Sequence, residues 1–375
     1  MKLSTIHYIN HISEIPNLGS YDFVASVLTS WQFDVMLAYI QSHQLTNGVL
    51  IVEAIPFIDV VKYRLSEDQV LKYEGLFNGV YFCQSRKQPY KIGNLIKCLF
   101  SWRKVNSMLW LRPLPNISLR LLSNIINPQR EMHYVALDEG LTSYMPYIDT
   151  LKLMYPNIIK VYSTWYIQKT LNLISRLFIK EQEDFGLFHR CGKNIEPNNE
   201  ACAALKQMYI ERAHSNKEGQ GGILFFKDYL VIPEEQAIRI FDDILDGIMN
   251  KKVNIIIKKH PSDTNSSFDE AIISKHPSVR IINSMISGEE LVAAYQPAMI
   301  VGGFSTVVLS SSFIYEILTV SFSGIYLQNK IVSGLHERQI MFFMNQFGTY
   351  IPFCKSIEDV CNKINNHIET LKSLV

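Results

Sequence analysis

Three places in the chain set ionisable or hydroxyl side chains after an apolar run, where a buried strand would hand over to a turn, and a fourth sets two acids at a helix start. The run "NIIIKKHPSD" (254–263) ends in Lys258, Lys259, His260 and Pro261. Lys258 and His260 are two residues apart and share one face of an extended chain, and Pro261 disfavours α geometry at His260. An ammonium and an imidazole at a strand end suit a phosphate, and the imidazole could give a proton to a departing phosphate oxygen. A surface turn that merely holds a histidine is the plainer alternative.

In "YVALDEGLTSY" (134–144) a second apolar run ends in Asp138, Glu139 and Gly140. Adjacent carboxylates raise one another's pKa, so one of the pair could act as a general base. Either acid could instead cap the next helix. In "IVGGFSTVVLSS" (300–311) a strand leads through Gly302, Gly303 and Phe304 to Ser305 and Thr306, which open a helix. Two hydroxyls among helix-opening N–H groups make an anion site, or an ordinary serine N-cap. In "SGEELVAAY", Glu289 and Glu290 stand at a helix start, placed to accept hydrogen bonds from ribose hydroxyls or to satisfy the helix dipole. No Asp-x-Asp occurs, and no His/Cys cluster has metal spacing. The expectation is therefore a site without metal or other cofactor, in which protein cations, hydroxyls and backbone dipoles stabilise a leaving group.

The elements around these residues alternate. From 221 onward the pattern predicts strands at "GGILFFKDYL", "VNIIIKK", "SVRIINSM", "PAMIVGG" and "TVSFSGIY". Between and after them come helices at "PEEQAIRIFDDILDGIMN", "SSFDEAIISKH", "GEELVAAYQ", "TVVLSSSFIYEIL" and "GLHERQIMFFMNQFG". "TYIPF" reads as extended, and "SIEDVCNKINNHIETLKSL" as a closing amphipathic helix. The front half repeats the theme with strands at "YDFVASVLTS", "GVLIVEAI", "GVYFC", "SMLWLRPL" and "MHYVALDEG" and a helix at "FDVMLAYIQSH". Short continuous apolar strands are what a parallel sheet covered by helices on both faces requires. The expected architecture is α/β: two Rossmann-like doubly wound domains facing each other across a cleft. They would cover 1–200 and 201–375, with the boundary inside the polar stretch 190–220. Ligands in such sheets bind beyond the carboxyl ends of the strands, where the first three clusters fall.

Bulk properties agree. The 375 residues are 47% hydrophobic and 19% charged, with a formal net charge of +1. That composition excludes a disordered chain and suits two packed domains. No apolar run is long enough to span a bilayer, and "MKLSTIHYINHISEIPN" lacks a signal-peptide core, so a cytoplasmic protein is expected. The six cysteines form no C-x-x-C pair and read as idle thiols.

Taken together, Asp138-Glu139-Gly140, His260-Pro261 and Ser305-Thr306 resemble, in order and spacing, the D/E-D/E-G, HP and Ser-Ser/Thr motifs of bacterial sialyltransferases. The likeness is to the lipooligosaccharide sialyltransferase and capsular polysialyltransferase families. "TSWQFDVMLAYIQ" (29–41) is similar to their first-strand loop, with Trp31 where the families usually carry proline. The resemblance implies a glycosyltransferase B fold and an inverting, metal-independent transfer of sialic acid from CMP-sialic acid to a sugar hydroxyl of a bacterial surface glycan, lipooligosaccharide or capsule. It implies that one of Asp138 and Glu139, with Glu139 favoured, takes the acceptor proton, and that His260 stabilises or protonates the departing phosphate. Ser305 and Thr306, with Gly303, Lys258 and Pro261, would hold CMP and its phosphate. Glu289 or Glu290 would hold the ribose, and Gln32 and Gly140 would lie on the acceptor side. A transferase of another CMP-activated acid sugar such as Kdo, a polymerising enzyme, and a non-catalytic nucleotide-binding protein are the alternatives.

One further pattern is electrostatic. Gly75 to Arg130 contains no Asp or Glu but carries Arg86, Lys87, Lys91, Lys97, Arg103, Lys104, Arg112, Arg120 and Arg130, with Trp102 and Trp110 among them. Thr150 to Lys180 is also free of acids. Basic segments 86–130 and 150–180 with aromatic residues suit an anionic membrane surface or simply a solvated basic face. No nucleic-acid-binding motif accompanies them.

Overall fold

The computed structural model of the chain describes residues 6–17, 20–54, 61–84, 107–112, 131–138, 144, 157–159, 161–167, 170, 182–191, 194–213, 220–229, 231–248, 253–260, 263–284 and 286–373. At some positions in these helices and strands only the backbone is described. The chain divides into two compact units, Met1–Ala204 and Leu205–Val375.

In the first unit, β1 (Ile6–Ile9), β2 (Phe23–Val27), β3 (Gly48–Glu53), β4 (Gly79–Cys83), β5 (Ser107–Arg112), β6 (Glu131–Leu137) and β7 (Gln182–Phe185) form one sheet in the order β1-β4-β3-β2-β5-β6-β7. Every pairing is parallel. The order reverses between β2 and β5, the switch point at which a doubly wound sheet opens a crevice. α1 (Ser30–Ser42) and α2 (Glu67–Leu71) are each started by a capping box, from Thr29 and Ser66 respectively. A hairpin of β8 (Phe188–Cys191) and β9 (Asn194–Pro197) follows β7. α3 (Asn199–Arg212) then begins in the first unit and ends in the second.

The second unit holds β10 (Ile223–Phe226), β11 (Ile255–Lys258), β12 (Arg280–Ile282), β13 (Met299–Gly302) and β14 (Leu318–Ser321). They form a parallel sheet in the order β12-β11-β10-β13-β14, with its switch point between β10 and β13. Its helices are α4 (Glu234–Ile248), α5 (Ser267–Lys275), α6 (Gly288–Tyr295), α7 (Thr306–Tyr315), α8 (Ser323–Gln328), α9 (Gly334–Phe347) and α10 (Ile357–Ser373). Alternate strand residues divide between two cores. Ile223, Phe225, Ile255, Ile257, Met299 and Val301 pack with Ile240, Ile244, Val360 and Ile364 of α4 and α10. Leu224, Phe226, Ile256 and Ile300 pack with Leu291, Val292, Val307 and Val308 of α6 and α7. Helices on both faces explain why these strands read as continuous apolar runs.

Two sequence expectations change. "TVSFSGIY" is not one strand: β14 stops at Ser321 and α8 begins at Ser323. Serine hydroxyls turn the chain there, since Ser321 Oγ donates to Gly303 O, Ser323 N donates to Ser321 Oγ, and the two Oγ atoms lie 2.8 Å apart. β1 and β7 were not expected. "IHYI" and "QEDF" lie on the two sheet edges, where polar residues can face water. Among the described residues no helix is long and apolar enough to cross a membrane.

Candidate functional site

The register of the second sheet gathers the clusters. Ile282, Lys258, Phe226, Gly302 and Ser321 lie on one rung across all five strands. The residues that follow this rung therefore leave the same carboxyl edge: Lys259 and His260 from β11, Lys227 to Tyr229 from β10, and Gly303 to Ser305 from β13. α6 starts beside this edge. A Cβ on Gly288 would lie 2.6 Å from Val307 Cγ2 and 3.0 Å from Phe226 Cε1.

His260 is exposed, and its ring lies parallel to that of Tyr229, centroids 5.0 Å apart and planes 6° from each other. A buried ion pair fixes the loop that carries it. Lys227 Nζ donates to Asp263 Oδ2 at 2.6 Å and to Glu234 Oε2 at 2.8 Å, and it lies 4.9 Å from the centre of the Phe268 ring. Burial pulls the Lys227 pKa down, but the two carboxylates outweigh it and hold the ammonium above its ordinary value. Asp263 N donates to His260 O, closing the turn, and Asn283 Nδ2 donates to Asp263 O. Pro261 lies outside the described residues. Tyr229, Lys227 and Asp263 were absent from the sequence reading. An Asp three residues after His260 was the available signal.

Lys258 does not project with His260. Its Nζ is buried and donates to the carbonyls of Lys259 (2.6 Å) and Ser284 (2.8 Å), and burial lowers its pKa to about 8. Lys259 is buried too, on Asn265 O and Asp269.

The β13–α7 turn is shaped by a group the sequence reading did not name. Asp228 Oδ2 accepts from Phe304 N (2.7 Å) and from Tyr326 Oη (2.7 Å). Only glycine fits between them, because a Cβ at Gly303 would lie 2.0 Å from Asp228 Oδ2 and 2.2 Å from Tyr326 Oη. Burial pushes Asp228 up to about 6, against the opposing pull of the Phe304 N–H, the Tyr326 hydroxyl and Lys227. Ser305 is the N-cap residue of α7 with extended backbone, yet its side chain makes no capping bond. Ser305 and Thr306 are both half-buried at the opening of that helix. Glu289 is buried and accepts from Ser310 Oγ at 2.7 Å, whereas Glu290 is half-buried with its N–H on Ser287 Oγ.

In the first unit Asp138 follows β6 and is buried. Its Oδ2 accepts from Tyr144 Oη and from Leu187 N (3.4 Å), and Asp138 N donates to Phe185 O. A Cβ at Gly186 would lie 2.6 Å from Asp138 Cβ, so glycine admits this close approach. Cys202 lies close enough to Asp138 for the carboxylate to add to the effect of burial in raising the thiol to about 12. Glu139 and Gly140 lie outside the described residues. Gln32 is the third residue of α1, with Oε1 accepting from Leu28 N (2.7 Å) and Thr29 N (3.1 Å), so its side-chain oxygen closes a capping box.

Among the described residues, one group has carboxylate and imidazole atoms close enough to share a metal ion: Asp242, Asp246 and His276. Lys275 Nζ and His276 Nε2 both already meet Asp242.

A likeness in fold reaches several solved structures. A protein described as a UDP-N-acetylglucosamine 2-epimerase from Listeria monocytogenes is 9% identical, with a TM-score of 0.52 over 93% of this chain and 88% of that one. The alpha/beta-galactoside alpha-2,3-sialyltransferase of Photobacterium phosphoreum is 14% identical, with a TM-score of 0.47 over 90% and 98%. MurG of Acinetobacter baumannii is 10% identical, with a TM-score of 0.46 over 92% and 90%. The first of these, with the two parallel sheets, shows an α/β fold of the two-Rossmann, glycosyltransferase B type. No curated protein matches in sequence. The family sequence model described as Alpha-2,8-polysialyltransferase (POLYST) matches residues 27–323. A match that runs from the last residue of β2 to the first of α8 covers most of both units: this chain belongs to the alpha-2,8-polysialyltransferase family and is a glycosyltransferase.

Proposed function

We propose that the protein is an inverting, metal-independent sialyltransferase that moves sialic acid from CMP-sialic acid to a sugar hydroxyl of a bacterial surface glycan, lipooligosaccharide or capsule. The observation that carries this reading is the shared carboxyl edge of the second sheet. There a stacked imidazole, a glycine-shaped turn and two hydroxyls at a helix opening follow one rung, and a pair of acids starts the helix beside it. Ser305, Thr306 and the first N–H groups of α7 bind the phosphate of CMP. His260 faces the oxygen that leaves with CMP. Lys258 adds positive potential from beneath, and Pro261 belongs to the same CMP-binding segment. Glu290, half-buried in the first turn of α6, accepts from the ribose hydroxyls, while Glu289 anchors that turn to Ser310.

The acceptor oxygen attacks the anomeric carbon of sialic acid as its bond to the phosphate oxygen breaks, so configuration inverts. The acceptor proton passes to Glu139, and the electron pair leaves on CMP, where His260 stabilises or protonates the phosphate. Asp138, already holding Tyr144 and Leu187, secures the end of β6. Fixed donors aimed at a departing phosphate in a shielded site are worth far more than in water. Gln32 and Gly140 belong to the acceptor side, Gln32 by fixing the β2–α1 turn.

The test measures CMP release from CMP-sialic acid in EDTA, with and without a sialylated or galactose-terminated acceptor, and identifies products by mass spectrometry. Acceptor-dependent release with one or more added sialic acids supports the reading. Release that needs a divalent cation, or transfer from CMP-Kdo alone, overturns it. CMP binding without transfer to any acceptor would point to a binding protein.

The exposed apolar residues of 157–167 support attachment to the inner face of the plasma membrane. Ile158, Tyr162 and Tyr166 recur every four residues along a helical stretch, and Ile159 and Ile167 flank them, in the acid-free segment that carries Lys152, Lys160 and Lys169.

A further inference from the structure

Asp228 stands at the switch point of the second sheet, where β10 and β13 diverge. One of its oxygens is fully engaged: Oδ2 takes both the Phe304 N–H and the Tyr326 hydroxyl. The other, Oδ1, is buried without a hydrogen-bond partner. Such an arrangement is costly for a carboxylate, which needs its lone pairs satisfied when removed from water. It is far less costly for the neutral acid, whose proton would sit on Oδ1 and leave Oδ2 as the acceptor. The turn that Asp228 shapes, Gly303 to Ser305, is the one that opens α7.

We propose that Asp228 is a positioning residue of the phosphate site, holding the Gly303–Ser305 turn as a neutral acid whenever an anionic ligand occupies the opening of α7. The inference rests on the reading of that opening as the phosphate site. The groups acting on Asp228 are few. Lys227 favours its charged form, but Lys227 is itself taken by Asp263 and Glu234. Tyr326 is a phenol whose own pKa burial, and then Asp228, raise well above the ordinary value, so it stays a neutral donor. The turn contributes the Phe304 N–H and no ionisable side chain. A phosphate brought beside this carboxyl adds a second negative charge and raises its pKa further. By linkage, ligand and proton then bind together.

The experiment is calorimetric titration of the full chain with CMP between pH 5.5 and 7.5, in two buffers of different ionisation enthalpy, for wild type and Asp228→Asn. Asparagine keeps a neutral acceptor oxygen but cannot titrate. CMP's own phosphate and every other group that binds protons are common to both proteins, so their effects cancel in the comparison. The expected result is net proton uptake by the wild type that the variant lacks. Wild-type affinity should also fall relative to the variant by about tenfold across the range. Asp228→Ala, which removes the acceptor oxygen, should bind CMP more weakly at every pH. Equal pH slopes and equal proton counts for wild type and Asp228→Asn would overturn the assignment, even where Ser305→Ala and Thr306→Ala weaken CMP binding and so uphold the phosphate site. Absence of CMP binding by the wild type, or binding that Ser305→Ala and Thr306→Ala leave unchanged, would overturn the phosphate site and this inference together.

Discussion

Asp228 ties chemistry to stability through a single buried carboxyl. Its folded value of about 6 lies above the ordinary 3.8. The stability it contributes is therefore fully present below about 3.8 and is lost as the pH rises through about 6. Asp228→Asn has no such loss. The difference in melting temperature, variant minus wild type, should rise between pH 4 and pH 7.5 by an amount corresponding to roughly 2–3 kcal/mol. A difference independent of pH would show that Asp228 ionises in the fold without penalty. Gly303 gives the steric counterpart. A methyl group there meets Asp228 Oδ2 at 2.0 Å, so Gly303→Ala should destabilise the second unit by about 1–3 kcal/mol and abolish CMP binding. Removal of the proposed partner of the leaving phosphate is a different kind of loss. His260→Ala should leave the melting temperature nearly unchanged, because the ring is exposed, while lowering kcat by about 10²–10³-fold. A fall in melting temperature without loss of rate would make His260 a structural residue of the Tyr229 stack.

At the scale of elements, the loop after β11 illustrates how a motif is held. Lys227, from the neighbouring strand end, reaches Asp263 three residues beyond His260 and pins the turn from below. Removing Asp263 leaves the buried Lys227 ammonium with Glu234 alone, so Asp263→Ala should cost less than the roughly 3–5 kcal/mol of a fully unpaired buried charge, and Lys227→Met with Asp263→Ala together less than the sum of the single changes. Denaturant unfolding of the four proteins in a double-mutant cycle measures this coupling. The cycle also marks what was legible beforehand. The strand "NIIIKK" and its exposed histidine follow from a β-branched run ending in a polar turn. The partner of Asp263 lies more than thirty residues away and is set by sheet order, which local pattern does not encode. The same limit explains Lys258. Period-two alternation put it on the face of His260, yet the ammonium turns onto the Ser284 carbonyl supplied by the chain after β12. Conversely, Glu289 and Glu290 were legible as first-turn acids, but which of them is buried depends on Ser310 in the adjacent helix.

Over the whole molecule, the distribution of charge and exposed apolar surface concerns where the enzyme works. A glycan acceptor assembled on a lipid or at a membrane makes residence at the bilayer surface useful, and the first unit carries a surface suited to it. Ile158, Ile159, Tyr162, Tyr166 and Ile167 are each at least half exposed, in a segment where Thr150 to Lys180 has five basic residues (Lys152, Lys160, Lys169, Arg176 and Lys180) and no acid. Aromatic and aliphatic side chains enter the headgroup boundary while lysines meet anionic lipid, each contributing about 1 kcal/mol near the surface. The protein should therefore sediment with vesicles containing anionic lipid at low salt and be released as ionic strength rises and the Debye length shortens. Ile158→Ser, Tyr162→Ser and Tyr166→Ser together should weaken sedimentation while leaving CMP affinity intact. Lys152→Gln with Lys160→Gln should lower binding by roughly 30-fold and flatten its salt dependence. Equal partition onto neutral vesicles, or indifference to salt, would separate the basic segments from the membrane and leave them as a solvated face of the first unit.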